Sequence, residues 1–502
     1  MVTGGLGRVR EAFLAAGYTV DGVADRLGPL AGTALQRHET VPARRATSGG
    51  DALDLLLRLF PLQLAVEEGA AGAVLPVADL VAAGLVERSA GELRAELDVR
   101  PYSEAVVGRS GQPDGPAWWV VSDLGTGLDG RHRPLAGEHV LGIGGASTTL
   151  AQLTVRAVGQ RALDVGTGCG VQALHASRHC AEVVATDVSA RALRLAAMTA
   201  ELSDVRLDLR AGDLLQPVDG ETFDLVVSNP PFVAGGRADD ARHTYRDAGL
   251  DLDGVGARLA HEAPGLLGPQ GTFQMLANWV QLADESWEER VAGWLPARGA
   301  DALVVQREVL DPAEYVATWL RDAGEEGSPG YVDHYDTWLG SLEDAGVQGI
   351  GFGLVNVRRT DDERRLTLLD WPHPVEQPLG PHVDAWFGRQ RWLAAHGDDD
   401  TLSAAALVLA DDVLQEQVGA PGAEDPAHLV LRQQVGLRRA LQADTATAAL
   451  AGACDGRLGV GTLVAAVQQV LGAEPGTDAG PVAGALDRVR DLVEAGVLLP
   501  PV

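Results

Sequence analysis

Short apolar runs alternate with stretches of helical period from Arg161 to about Arg359. The runs at 161–165, 181–187, 205–209, 223–228, 271–277, 302–306 and 351–357 are rich in Val, Leu and Ala. Near-continuous runs of this kind predict strands covered on both faces. Residues 190–202 between them repeat with helical spacing. Strand and helix in alternation predict a parallel, doubly wound α/β sheet.

Outside that block the pattern changes. Val9, Phe13 and Leu14 fall on one helical face, 52–60 reads as an apolar helix stopped by Pro61, and 76–84 as a helix between Pro and Gly. Residues 93–102 alternate like a strand, and 118–122 form another. Two helices, a short Leu-Val-Glu and a hairpin-like strand suggest a winged helix over 1–110. Residues 111–360 then hold the α/β domain, and the proline-rich 361–389 read as a linker. Residues 390–502 read as mainly helical, and 492–500 echo 80–87. Both echoes look like the step from a recognition helix into a wing.

The first α/β unit carries the chemistry. Its strand ends in Asp164-Val-Gly-Thr-Gly-Cys-Gly170, a turn in which Gly166, Gly168 and Gly170 remove Cβ atoms where a ligand comes close. A helix opens straight after the turn and points free N–H groups at that ligand. The next strand ends in Asp187, an acid placed to bind a ribose diol. The fourth predicted strand ends in Asn229-Pro230-Pro231-Phe232.

The GxGxG turn behind Asp164 resembles motif I of the class I S-adenosylmethionine (AdoMet) methyltransferases, and Asn229–Phe232 resembles their motif IV, [DNS]-P-P-[YFW]. Together they are similar to the NPPY/NPPF group, which includes release-factor glutamine methyltransferases and rRNA guanine-N2 enzymes. The resemblance implies a Rossmann-like sheet of seven strands, the last antiparallel, with AdoMet as cofactor. It implies cofactor contacts from Thr148, Thr149, Asp164, Gly166, Thr167, Gly168, Gly170, Asp187, Val188, Asp213, Leu214 and Asn229. Among these, Asp213 corresponds to the adenine-edge acid, while Thr148 and Thr149 lie where the methionine end is held. Ser147 or Thr148 is also expected to cap the helix that starts there.

Asn229, Pro230, Pro231 and Phe232 are the expected catalytic group. The Asn229 side-chain oxygen and the Pro230 carbonyl can each accept one N–H of a planar NH₂, leaving the nitrogen lone pair free in the third direction. Phe232 can stack on the amide or base. Arg246 and Asp247, in a polar loop over 234–254, are further candidates for substrate contact. Two departures from the glutamine enzymes are visible. Phe232 stands where they usually carry Tyr, and Gly-Ile-Gly-Gly-Ala-Ser-Thr-Thr replaces their proline-rich stretch before motif I.

Charge narrows the acceptor. The net charge is −30, and all 40 Lys+Arg positions are Arg. A general nucleic-acid binder needs a basic face. Here the least acidic region is 1–110, where 11 Arg against 14 acids give −3, with Arg37, His38, Arg44 and Arg45 grouped in an expected loop. A macromolecular substrate is expected, a protein glutamine first. The exocyclic amine of an rRNA base (guanine N2 or adenine N6) is the alternative. An AdoMet-binding module without chemistry is a further one. Three cysteines suit a reducing cytoplasm, and no apolar run approaches a membrane span. No metal is called for, and oligomeric state stays open.

Overall fold

The computed structural model describes residues 5–103, 117–125, 138–156, 159–231, 252–421, 426–471 and 484–501. Phe232, Arg246 and Asp247 lie outside these described residues. The chain divides into two compact units, one of residues 1–151 with 156–371, the other of 152–155 with 372–502.

The first unit is built on an eight-stranded sheet: β1 Gly159–Val165, β2 Cys180–Asp187, β3 Asp208–Ala211, β4 Phe223–Ser228, β5 Leu267–Leu282, β6 Arg298–Leu310, β7 Val347–Glu363 and β8 Leu366–Asp370. Their order is β8-β6-β7-β5-β4-β1-β2-β3. Strands β3, β2, β1, β4 and β5 run parallel, and β7 enters antiparallel between β5 and β6. Seven of the strands therefore take the arrangement that the resemblance implies.

The eighth strand, β8, pairs parallel with β6 and falls within the stretch read as a linker. Leu366 and Leu368 pack on the sheet core, and β8 covers what would be the open edge of β6. The third strand begins at Asp208, not at 205, because the chain turns at Asp204 with φ 57°. One face of the sheet buries Phe223, Val226, Phe273, Trp279 and Val355 against the helices Gly254–Glu262 and Trp287–Trp294.

The N-terminal helices Leu6–Ala15, Val20–Gln36, Ala52–Leu59 and Val77–Ala83 share one core with the outer side of this domain, while the helix Val41–Ala46 packs through Ala43 on Ala31 and Leu62. Val9, Phe13, Leu56 and Phe60 meet Trp118 and Trp119, and behind them Leu174, Leu195 and Met198. Val9 and Phe13 are buried as expected, whereas Leu14 is 42% exposed. Asp51 caps Ala52–Leu59 by accepting the Asp54 N–H at 2.9 Å.

The alternating run 93–102 is split. Glu92–Ala95 joins a three-stranded sheet with Val66–Glu67 and Val86–Ser89, while Leu97–Tyr102 pairs antiparallel with Trp118–Asp123. The Leu85 carbonyl accepts from both Glu96 and Leu97 N–H and bends the chain there. Arg44 and Arg45 sit on the helix Val41–Ala46 and not in a loop, because Pro42 opens a helical turn there.

The second unit is not only helical. Helices Gly380–His396, Asp399–Ala404, Thr445–Ala453, Val460–Val470 and Ala485–Ala495 accompany an antiparallel sheet of Val413–Val418, His428–Gln433 and Ala440–Ala443. Those strands are half exposed and polar on one face, so they lack a long apolar run. The short echo has a common local geometry. Gly84 and Gly496 both end a helix with positive φ (72° and 84°), and the next residue donates back to the carbonyl five residues earlier, Leu85 to Leu80 and Val497 to Leu492. Each then enters a strand. Among the described residues no helix is long and apolar enough to cross a membrane.

Candidate active site

The carboxyl ends of four neighbouring parallel strands form the site. Val165 is level with Thr186 and with Ser228, and Asp187 is level with Ala211. The residues that follow, Gly166, Asp187, Gly212 and Asn229, therefore emerge along one edge. Ligands of open α/β sheets bind in that crevice.

The turn has the conformation its glycines foretell. Gly166, Gly168 and Gly170 take φ of 70°, 55° and 88°. Among the described residues, a Cβ on Gly166 or Gly168 would meet no atom within 4 Å. One on Gly170 would touch Ala196 Cα at 3.5 Å, which assigns that glycine to helix packing. Asp164 is buried beneath the turn. Its Oδ2 accepts from Thr167 Oγ1 at 2.6 Å and from Ala173 N–H at 3.0 Å. Burial pushes its carboxyl up to about 7, against the opposing effect of those two donors.

Asp187 Oδ2 accepts the Gly168 N–H at 2.9 Å and Oδ1 the Ser189 N–H at 2.8 Å. Burial raises its carboxyl, and each oxygen keeps a lone pair for a hydroxyl. The following Val188 is 63% exposed. Asp213 is more exposed and is held by Arg258, whose Nη1 lies 2.8 Å from Oδ2. Leu214 adopts φ 44°, and its carbonyl accepts from Thr186 Oγ1 at 3.3 Å.

On β4, Ser228 Oγ donates to the Val165 carbonyl at 2.9 Å. Asn229 follows with its Oδ1 buried and without a partner among the described residues; Pro230 is buried and Pro231 half-buried. Asp164 Oδ1 is also buried without a partner among the described residues. Orphaned buried acceptors beside an open glycine turn call for a ligand.

The helix ahead of β1 starts at Gly145, earlier than Ser147 or Thr148. Thr148 lies in its first turn and donates from Oγ1 back to the Gly145 carbonyl at 3.0 Å, so neither residue is the cap. Thr148 and Thr149 are half-buried. Gln172 Nε2 donates to the Ser147 carbonyl at 2.8 Å and ties this helix to the one after the glycine turn. Sequence reasoning missed Gln172 and Arg258, because their partners lie far along the chain. Cys169 is a packing residue, its thiol pushed up to about 12 by burial.

Residues 142–291 match the family model of the methyltransferase small domain. Residues 15–96 and 384–500 match two domains of unknown function (DUF7059 and DUF7782). The chain is 40% identical over 131 residues to the release factor glutamine methyltransferase of Bordetella pertussis, covering 24% of this chain and 48% of that protein. It is 33% identical over 157 residues to the ribosomal protein uL3 glutamine methyltransferase of Bradyrhizobium diazoefficiens, covering 29% and 49%. It is 31% identical over 131 residues to the ribosomal RNA small subunit methyltransferase C of Alcanivorax borkumensis, covering 25% and 36%. The chain spans about half the length, or less, of these curated relatives.

Proposed function

We propose that this chain, which carries a methyltransferase small domain at residues 142–291, is an AdoMet-dependent N-methyltransferase acting on a protein glutamine. The single observation that carries the reading is Asn229 Oδ1, buried and without a partner among the described residues, on the strand edge beside Gly166 and Gly168. The residues present fit AdoMet. Gly166 and Gly168 give backbone access, Asp187 presents lone pairs to a diol, Asp213 to an amine, and Asp164 lies buried beneath the turn with one oxygen directed away from Thr167 and Ala173.

Bound there, AdoMet supplies an electrophilic methyl on a sulfonium. The chain's part is positioning and electrostatics. Asn229 Oδ1 and the Pro230 carbonyl accept the two hydrogens of a planar NH₂, and the two prolines fix the backbone that aims them. A nitrogen held this way presents its lone pair away from both acceptors. No side-chain base is required, because the methylated nitrogen is cationic and loses its proton readily to water.

Two features support a protein acceptor. Two of the relatives above are named as glutamine methyltransferases of proteins. The insertion between β6 and β7 stands on the same edge of the sheet as Asn229. Ser228 is level with Met275 on β5, and the insertion leaves β6 at Leu310, level with Val280 through Ile350. Five further residues of strand carry it about 17 Å beyond Ser228. Residues 311–345 contain nine Asp or Glu and one Arg, a surface that repels a phosphate backbone.

The test is methyl transfer from tritiated AdoMet to whole-cell protein and RNA fractions of a strain lacking this chain. Label appearing in protein, and located on a glutamine amide by peptide mapping, supports the reading. Label confined to RNA would replace it with the base-amine alternative, and label in neither fraction would leave only cofactor binding.

A further inference from the structure

The strand Trp118–Asp123 pairs on one side with Leu97–Tyr102 and on the other is bonded to side chains of the helix Ala190–Leu202 and its C-cap Ser203. Trp119 N–H donates to Ser203 Oγ at 3.0 Å and Val121 N–H to Thr199 Oγ1 at 2.9 Å. At the end of the strand, Asp123 receives the Arg191 guanidinium. Nε lies 3.0 Å from Oδ2, and Nη2 donates to Oδ1. The same carboxylate accepts the Val140 N–H at 2.8 Å, and the Asp123 N–H donates to the Val140 carbonyl at 3.1 Å.

This pair touches two arms of the site. Arg191 opens the helix capped by Ser189, whose N–H is held by Asp187. Val140 begins the segment that leads into the helix Gly145–Leu153 with Thr148 and Thr149. We propose that Arg191 and Asp123 are positioning residues that set the spacing between the Asp187 arm and the Val140–Thr149 arm of the cofactor seat. The proposal rests on the AdoMet reading above. The bidentate geometry and the 10% exposure of the Asp123 side chain make the contact directional and expensive to break. Burial would raise the Asp123 carboxyl, yet Arg191 and the Val140 amide hold it below its ordinary value. The Thr199 and Ser203 links secure the strand lower down the same helix without reaching either arm.

The experiment is calorimetric titration of the full chain with AdoMet and with S-adenosylhomocysteine, alongside thermal melts. Arg191→Gln should weaken both affinities about tenfold, the loss expected for a charge-assisted hydrogen bond. Arg191→Lys should recover part of that loss. Ser203→Ala should lower the melting temperature while leaving both affinities unchanged. Should Arg191→Gln not fold, Asp123→Asn, which keeps the shape and removes the charge, carries the same expectation. Wild-type binding with equal affinity in the Arg191 and Asp123 variants overturns the proposal alone. No wild-type binding removes the AdoMet reading and the proposal with it.

Discussion

Ser228 Oγ donates to the Val165 carbonyl at 2.9 Å, and the two residues are also level with each other across β4 and β1. The bond locks the last residue before Asn229 to the last residue before Gly166. The orphan acceptor and the glycine turn are thereby fixed to one another through a single side chain.

Asn229→Ala should remove the acceptor without disturbing that lock. Turnover should fall by at least about 100-fold, the size seen when one preorganised polar partner of a reacting group is deleted. AdoMet affinity should change little. Kinetics and calorimetry on the same preparation check this, and equal loss of both would contradict the division of labour. Ser228→Ala should act more mildly, costing about 1 kcal/mol in stability.

The glycines should separate into two kinds. Alanine at Gly166 pays the left-handed penalty of about 1–2 kcal/mol and also fills open space in front of the turn. Alanine at Gly170 meets ordinary contact at 3.5 Å from Ala196 Cα and carries only the backbone strain. Both variants should melt earlier, but only Gly166→Ala should lose AdoMet binding.

Asp164 should make stability depend on pH. Its carboxyl is raised from 3.8 to about 7 in the folded chain. A raised carboxyl contributes its stabilising share fully below 3.8 and loses it as pH climbs through about 7. The wild-type chain should therefore lose stability across that window by more than Asp164→Asn does. AdoMet, a cation at its sulfur, should bind more tightly once Asp164 ionises. Melting curves and titrations through the window test both, and an Asp164→Asn profile parallel to wild type would refute them.

Gly353 tests the wall beyond Asn229. A Cβ there would collide with the Val305 carbonyl and the Trp279 ring. Trp279 is fully buried, stacked on Trp287 with centroids 5.5 Å apart, and donates to Gln306 Oε1 at 2.9 Å. Gly353→Ala should cost about 1–3 kcal/mol by overpacking, read as a lower denaturant midpoint with an unchanged slope.

By itself the sequence determined what depends on neighbours along the chain. The apolar runs of β1, β2 and β4, the three glycines, Asp187 and Asn229-Pro-Pro are local patterns, since a turn and the residue closing a strand are set by φ preference and burial within a few positions. Leu14, the helix start at Gly145, the split of 93–102 and the eighth strand were not legible, because each depends on what packs against it. Leu14 lies beside a buried face and yet remains exposed. Leu366 and Leu368 form a strand only because β6 offers an open edge. Tertiary structure alone decided which distant residues meet: Asp123 with Arg191, Asp213 with Arg258, Gln172 with Ser147. Each pair joins segments separated by at least 25 residues, and only the folding of the sheet between them brings a guanidinium or an amide within hydrogen-bonding reach of its acceptor.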